Sequence, residues 1–128
     1  MAIEIINGPT IAAGESLSDA VDCSAGQIVR LTMPGDWLNA PLTFQISSDG
    51  LFFNDVFDNK GIELKSIVVA GTAVIVPADY LAAASFIKFR SGTRDLPVTQ
   101  PAERVFAIAL EVIPGPTTEP ALRIKLVP

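Results

Sequence analysis

The stretch at residues 42–58, LTFQISSDGLFFNDVFD, carries the clearest structural signal in the sequence. Its first half alternates apolar and polar side chains, and this two-residue period predicts a β-strand with one buried face. Asp49-Gly50 then favours a hairpin turn, because glycine adopts a positive φ without steric cost. The aromatic segment that follows predicts the second strand. The alternating residues are Leu42, Phe44 and Ile46 on the predicted inner face and Thr43, Gln45 and Ser47 on the outer face.

Short apolar runs, punctuated by ten prolines and nine glycines, continue on both sides of this hairpin. This rhythm is typical of an all-β domain. Further strands are predicted near the N-terminus, ending at Asn7-Gly8, and in the segments 26–34, 62–69, 73–77, 85–92 and 104–113. The segment 77–84 is the one predicted helical piece, with a proline in its first turn. We predict an antiparallel two-sheet β-sandwich of jelly-roll type, with about eight strands and with N- and C-terminal arms.

Alternation within these segments predicts which side chains form the core. The aromatic core residues are expected to be Phe44, Phe53, Phe89 and Phe106. The aliphatic ones are expected to include Val29, Leu31, Met33, Ile87, Ile108, Leu110 and Val112. Trp37 precedes the first strand of the hairpin, and a single tryptophan there is more often a core residue than an exposed platform for a sugar.

The chain is predicted to divide into a sandwich domain, residues 1–113, and a C-terminal arm, residues 114–128. The arm begins with the proline-rich segment PGPTTEP, which predicts an extended and stiff linker. It continues as ALRIKLV, where Leu122, Ile124 and Leu126 alternate with Arg123, Lys125 and Val127. An apolar strand on such an arm pairs either with its own sheet or with the edge of a neighbour.

Composition excludes several classes of function. Hydrophobic residues make up 49% of the chain and charged residues 18%, below the ~25% usual in soluble domains. The segment 66–87 is apolar, but Gly71, Pro77 and Asp79 interrupt it, so we expect no membrane span. The N-terminus lacks a basic region followed by an apolar run, so we expect no signal peptide. The net charge is −5 and the basic residues are scattered, which argues against nucleic acid as a partner.

Catalytic and metal chemistry find little support in the sequence. The chain has no histidine, which excludes a Ser-His-Asp triad and histidine-dependent metal sites, and the single cysteine, Cys23, has no base to activate it. The acidic residues Asp49, Asp55 and Asp58 fall at predicted turns, where aspartate is favoured for structural reasons. Calcium is the one metal alternative considered, through Asn54, Asp55, Asp58 and Asn59. We expect no catalytic residue, no metal and no cofactor.

The hairpin resembles a pattern found in discoidin-like (galactose-binding-like) β-sandwiches. In that pattern an alternating strand runs into Ser-x-Asp-Gly and is followed by an aromatic strand, here residues 42–50 with Phe52 and Phe53. The segment ASFIKFRSG, residues 84–92, is similar to another strand of the same family. The resemblance covers about 45 residues and implies a β-sandwich whose loops bind ligands in some members.

A larger part of the chain resembles small structural proteins of tailed phages. The matching segments are GESLSDAVDCSAG, MPGDW with LTFQISSDG and the residues after it, and FIKFRSGT through PVTQPAERVFAIAL. They occupy residues 14–26, 33–53 and 86–110. This resemblance implies a virion component assembled in the host cytoplasm, such as a head decoration (cement) protein, a head-spike base or a small tail adaptor. It also implies other virion proteins as partners and a homo-oligomer, with a trimer favoured.

The expected function is therefore non-enzymatic assembly, in which apolar patches and a terminal strand hold subunits together. The alternatives are a carbohydrate-binding module and a tail or baseplate adaptor. The surplus of apolar side chains at both ends and in the hairpin suggests the partner contacts. The predicted contact residues are Ile3, Ile5, Ile6, Phe52, Phe57, Leu122, Ile124 and Leu126.

Overall fold

The structure, a computed structural model, describes residues 2–77, 79–81 and 84–112. These residues form eight β-strands and no helix. In chain order the strands are β1 (Ile3–Ile11), β2 (Val21–Asp22), β3 (Gly26–Thr32), β4 (Leu42–Ser47), β5 (Asn54–Asp55), β6 (Ala73–Ile75), β7 (Phe86–Ser91) and β8 (Arg104–Val112).

The strands form two four-stranded antiparallel sheets, which confirms the predicted β-sandwich. Sheet A has the order β1-β8-β3-β6 and sheet B the order β2-β7-β4-β5. The first strand thus pairs with the last, the second with the seventh, the third with the sixth and the fourth with the fifth. This nested pairing is one long antiparallel hairpin rolled into two sheets, which is the jelly-roll arrangement. The stretch at residues 42–58 contains the closed end of that hairpin.

Aromatic side chains from both sheets meet in the core. Phe44 on β4 and Phe89 on β7 come from sheet B, and Phe106 on β8 comes from sheet A. The ring centroids are 5.4 Å apart between Phe44 and Phe89 and 5.0 Å apart between Phe89 and Phe106, both edge to face. Trp37 adds a fourth ring, 5.5 Å from Phe106. All four are buried, as predicted for these residues.

A β-bulge corrects the predicted faces of β3. Its register with β8 shifts between Ile28 and Arg30, so one extra residue is inserted and the alternation changes phase there. Consequently Ile28 and Leu31 are both buried, whereas Val29, which was expected in the core, is half-buried. The prediction from a strict two-residue period was wrong at this point because a bulge leaves no mark in the pattern of hydrophobicity.

Several predicted boundaries also differ from the structure. The first strand does not end at Asn7-Gly8: it continues to Ile11 past a shift in register, so the N-terminal residues belong to sheet A rather than to a free arm. The segment 62–69 forms isolated bridges instead of a strand. The helix predicted at 77–84 is absent from its described residues. The C-terminal arm, residues 114–128, lies outside the described residues.

Gln100 is a buried polar side chain that ties together the loops at one end of the sandwich. Its Oε1 accepts hydrogen bonds from the backbone N–H of Leu38 (3.0 Å) and from Nε of Arg104 (2.9 Å). Its Nε2 donates to the carbonyl of Leu38 (3.1 Å) and to Oγ of Ser91 (2.8 Å). All four hydrogen-bonding positions of the amide are therefore used. Gln100, which lies in the loop between β7 and β8, thus connects the loops through hydrogen bonds of its buried side chain.

Replacing Gln100 with methionine keeps the side-chain volume but removes four hydrogen bonds, two of which, to Ser91 and Arg104, are buried. We expect Gln100→Met to lower the free energy of unfolding by about 2–4 kcal/mol, measured by urea denaturation. The exposed neighbour provides a control, because Thr99→Val is expected to change stability by less than about 0.5 kcal/mol. Equal stability of the two variants would contradict this stabilising role of Gln100.

Candidate interaction surfaces

The turn of the β4–β5 hairpin is held by its own side chains. The Asp49 carboxylate accepts hydrogen bonds from the backbone N–H of Leu51 (2.8 Å) and of Phe52 (3.0 Å). These bonds, with one from Ser47, lower the pKa of the Asp49 carboxyl. Gly50 has a φ of +80°, and an added Cβ would lie 3.3 Å from the Phe86 ring. Asp49 is therefore engaged in the turn, which supports its structural interpretation.

This turn presents apolar side chains to solvent. Leu51 is 79% exposed and Phe52 is 76% exposed, so the predicted contact residue Phe52 is accessible. The next residue, Phe53, is half-buried on the outer side of sheet B, where the Lys88 ammonium lies 4.5 Å from its ring centroid. The expectation that Phe53 belongs to the core was wrong, because the chain leaves strand geometry after Ser47.

A charged network covers the outer face of sheet B. The Arg90 guanidinium, whose side chain is 9% exposed, lies 2.5 Å from Asp55 and 3.3 Å from Glu63. Arg94 contacts the other oxygen of Asp55 at 3.2 Å. These ion pairs fasten the segment after the hairpin onto the sheet, so that Thr43, predicted on the outer face, is completely buried.

The Asp55 carboxyl stays ionised within this network. Burial alone would raise its pKa, but hydrogen bonds from Arg90 and Gln45 and the charges of Arg90 and Arg94 outweigh that effect, so the pKa is lowered. A depressed pKa in the folded state means that the carboxylate stabilises the fold above its unfolded pKa of about 4. That contribution is lost as the pH falls through the folded pKa.

We therefore expect Asp55→Asn to lower the free energy of unfolding by about 1–3 kcal/mol at pH 7. The difference from the native chain should shrink as the pH falls below about 4, because the carboxyl of the unfolded chain takes up a proton there before that of the folded chain does. Urea denaturation between pH 3 and pH 7 measures both effects. Asp95→Asn makes the same chemical change at an exposed position and is the matched control. A difference independent of pH would contradict this role.

The two carboxylates considered for calcium, those of Asp55 and Asp58, have other partners. The Asp55 carboxylate binds two guanidinium groups. Oδ1 of Asp58 accepts hydrogen bonds from the backbone N–H groups of Lys60 (2.8 Å) and Ile62 (3.0 Å), which close the next turn. Within the described residues, no three acidic or cysteine side chains cluster as ligands for a metal ion.

Cys23 is completely buried. Burial, and to a smaller extent the Asp22 charge, raise the pKa of its thiol to about 12. The thiol is thus protonated at neutral pH, which makes it a poor nucleophile.

Phe57, a predicted contact residue that is 42% exposed, borders an open groove beside the hairpin. The groove is also lined by Asp58, Asp79 and Tyr80. An aromatic surface beside carboxylate oxygens and a phenol can stack on an apolar ring face and accept hydrogen bonds from hydroxyl groups. Trp37, in contrast, is buried, with its indole N–H donating to the carbonyl of Ala40 at 3.1 Å.

The strand register defines a mostly apolar surface on the outer face of sheet A. Residues directly opposite each other on neighbouring strands share a face. One row runs Ile5–Ala109–Arg30–Ile75, a second runs Asn7–Ala107–Thr32–Ala73, and Ile3, Gln27 and Glu111 form a third. We call these three rows, together with Val105, the A face. Its only charged members are Arg30 and Glu111, and Ile75 is 75% exposed.

The structure places the predicted contact residues at separate locations. Ile3 and Ile5 lie on the A face and are 47% and 50% exposed, whereas Ile6 points inward and packs against the core. Phe52 and Phe57 lie on the hairpin side of the molecule, away from β1. Leu122, Ile124 and Leu126 fall outside the described residues.

The sequence of β8 also contains a signal for the rest of the A face. Alternation in RVFAIALEV correctly assigned Phe106, Ile108 and Leu110 to the core. The residues between them, Val105, Ala107 and Ala109, are apolar as well. A strand that is apolar on both faces indicates that both faces are covered.

Within the described residues, the structure contains no helix long and apolar enough to cross a membrane. Comparisons of the chain with protein-family models, with curated proteins and with solved structures find no match.

Proposed function

We propose that this chain is a non-enzymatic structural subunit of a tailed-phage virion, a decoration (cement) or spike-base subunit of the head that self-associates and docks on other virion proteins. The observation that carries the proposal is the A face. It is apolar along most of its rows. Its members Ile3, Ile5 and Ile75 are about half exposed or more, whereas Ala109 between them is buried. On sheet B, in contrast, the segment bound to Arg90 covers the outer face.

The resemblance of the sequence to small structural proteins of tailed phages supports a virion as the assembly to which this subunit belongs. Its three segments, residues 14–26, 33–53 and 86–110, include β4, β7 and β8, the strands that supply the aromatic core. The jelly-roll topology is common in viral capsid proteins and also in lectins, so the topology agrees with the proposal without selecting it. Function depends on the surfaces that the fold presents.

The size of the A face indicates how it would work. Four strands about 4.8 Å apart and about five residues long at ~3.4 Å each give a surface of roughly 300 Å². This is well below the ~800 Å² per partner of a stable pair. A single contact through the A face is therefore weak, and many copies on a repeating surface supply the avidity. Such a dependence on repetition suits a subunit that coats a particle.

Ile75, the last residue of β6, is the most exposed large apolar side chain of the A face. We expect Ile75→Lys to weaken co-sedimentation with particles that lack this protein by about ten-fold or more, because a lysine ammonium must lose water in the contact. Leu96→Lys is the matched control, since Leu96 is also 75% exposed but lies in a turn outside the A face. Equal binding of the two variants, or no binding by the native chain, would overturn the proposal.

The number of copies per particle distinguishes the locations within the virion. Quantitative mass spectrometry of purified particles should find this chain in high, fixed proportion to the major capsid protein if it is a decoration subunit. A few copies per particle would instead indicate a spike base, or the tail or baseplate adaptor considered as an alternative.

The groove beside Phe57 favours carbohydrate binding as a second candidate function. If sugars bind there, a glycan array should give reproducible ligands, and Phe57→Ala should weaken them by about ten-fold through loss of the stacking surface. Ile62→Ala removes an apolar side chain from the same segment, 62% exposed, and should leave binding unchanged. An array without ligands for the native chain would eliminate this candidate.

A further inference from the structure

Strand β1 is an open sheet edge of unusual length for this fold. It spans nine residues, whereas the other three edge strands, β2, β5 and β6, have two, two and three residues. Short edges give little template for pairing, and proteins often protect long ones with charges, bulges or covering loops. In β1 a covering contact is present in one half only: past the bulge, Asp19 pairs with Thr10, its carboxylate accepting from the Thr10 N–H and its N–H donating to the Thr10 carbonyl. Before the bulge, Glu4 is the one charged residue of the strand.

The register shows which backbone groups of β1 point away from the sheet. Ala2 lies opposite Val112 and accepts a hydrogen bond from its N–H at 2.9 Å. In an antiparallel pair such bonded positions alternate with positions whose N–H and C=O point outward. The outward positions before the bulge are therefore Ile3, Ile5 and Asn7. The bulge inserts one residue, so beyond it the outward positions have even numbers. Thr10 agrees with this, because its N–H and C=O point outward and bond to Asp19.

These three outward positions are open. In the described part of the chain, no hydrogen bond reaches the N–H or C=O of Ile3, Ile5 or Asn7 on the outer side of β1. Their side chains lie on the A face, where Ile3 and Ile5 are about half exposed. A partner that adds a strand here satisfies the backbone groups and covers the apolar side chains at the same time.

We propose that β1 pairs antiparallel with β1 of a second copy of this chain, about a two-fold axis through Ile5. This inference rests on the self-association included in the proposed function, and it specifies the contact. The pairing joins two A sheets into one continuous eight-stranded sheet and two A faces into one surface. Hydrogen bonds form between Ile5 and its equivalent, and between Ile3 and Asn7 on each side of the axis.

The open edge selects this register over its neighbours. Outward positions must face one another, and they are two residues apart. One strand can therefore shift relative to the other only by two residues at a time. A shift toward the N-terminus places Glu4 opposite Glu4, which is destabilising. A shift the other way moves Ile3 opposite Pro9, which has no N–H to donate. With Ile5 on the axis, all three outward positions are paired and Glu4 lies opposite Ile6.

A second copy fits this edge better than an unrelated strand because the edge is complementary to itself. A two-fold contact uses the same patch on both subunits and closes on itself. Within Ile3–Asn7, one residue in five is charged, so pairing brings no cluster of like charges together despite the net charge of −5. The contact predicts pairs, whereas the trimer favoured from the sequence requires another surface.

Cysteine cross-linking tests the register. Paired residues on the axis have Cα atoms about 5.5 Å apart, within the range that a disulfide can bridge. We expect Ile5→Cys to form a disulfide-linked dimer on mild oxidation, at least about ten-fold faster than Ile3→Cys, whose equivalents lie roughly 14 Å apart along the strands. Ile3 is a matched control in exposure. The native thiol adds no background, since Cys23 is completely buried and the pKa of its thiol is about 12.

A backbone variant tests the hydrogen bonds separately. Ile5→Pro removes an outward N–H without removing a bond to β8, so the sandwich should remain folded. We expect it to halve the mass measured by sedimentation at concentrations where the native chain is a dimer, with the near-ultraviolet spectrum of Trp37 unchanged. Ile5→Lys, which places two like charges on the axis, should do the same if the proline variant does not fold.

The outcomes separate this inference from the proposed function. Cross-linking of Ile3→Cys at the rate of Ile5→Cys, or a dimer that survives both Ile5 variants, overturns the β1 pairing. A dimer lost on deletion of residues 114–128 but retained in the Ile5 variants also overturns it and assigns the contact to the C-terminal arm. Loss of particle binding by Ile75→Lys is a separate measurement, so the virion assignment can stand when the β1 pairing fails.

Discussion

The edge-to-face contacts between Phe44, Phe89 and Phe106 join the two sheets of this protein. Each ring belongs to a strand near the centre of its sheet, and each has its edge directed at the face of the next, an arrangement worth about 0.5–1.5 kcal/mol per pair beyond the area buried. Because Phe89 belongs to sheet B and Phe106 to sheet A, the contact between their rings bridges the two sheets. The loops and surfaces are arranged around this stack.

The polar clamps of the molecule depend on that stack. Arg90 follows Phe89 directly, so fixing the ring inward directs the guanidinium outward, where Asp55 and Glu63 bind it. Gln100 likewise bridges loops that the sheets bring to one end. Each is a buried polar group in a network with satisfied hydrogen bonds, and such networks specify a structure as well as stabilise it. The fold thus combines an apolar core with buried polar side chains that hold its loops in place.

Much of this architecture could be predicted from alternation alone. The first strand of the hairpin at residues 42–58, the core faces of β4, β7 and β8 and the sandwich class all follow from a two-residue period that holds over five or more residues. The second strand of the hairpin, predicted over the aromatic segment 51–58, is only Asn54–Asp55 in the structure. The errors have physical causes. The bulge at Ile28–Arg30 changes phase without a compositional mark, and the segment 62–69 is apolar because the sandwich packs against part of it, not because it forms a strand.

The candidate surfaces were less predictable than the fold. Ile3 and Ile5 were identified by their excess hydrophobicity, but their neighbours on the A face come from β3, β6 and β8 and are adjacent only through register. The exposed fraction of Ile75 and the role of Gln100 depend on tertiary contacts that no local pattern contains. The predicted arm residues Leu122, Ile124 and Leu126 remain predictions.

The bulge in β1 limits how far strands can add to this molecule. It divides the strand so that the open outward groups, those of Ile3, Ile5 and Asn7, lie within the five residues before it, and the other half is occupied by Asp19. Five residues fall short of the six or seven that stacked, fibre-forming segments use. In the described part of the chain the other edges span three residues or fewer, so growth by strand addition has one short starting point there. The same bulge that leaves one segment of β1 open therefore also limits open-ended polymerisation through it.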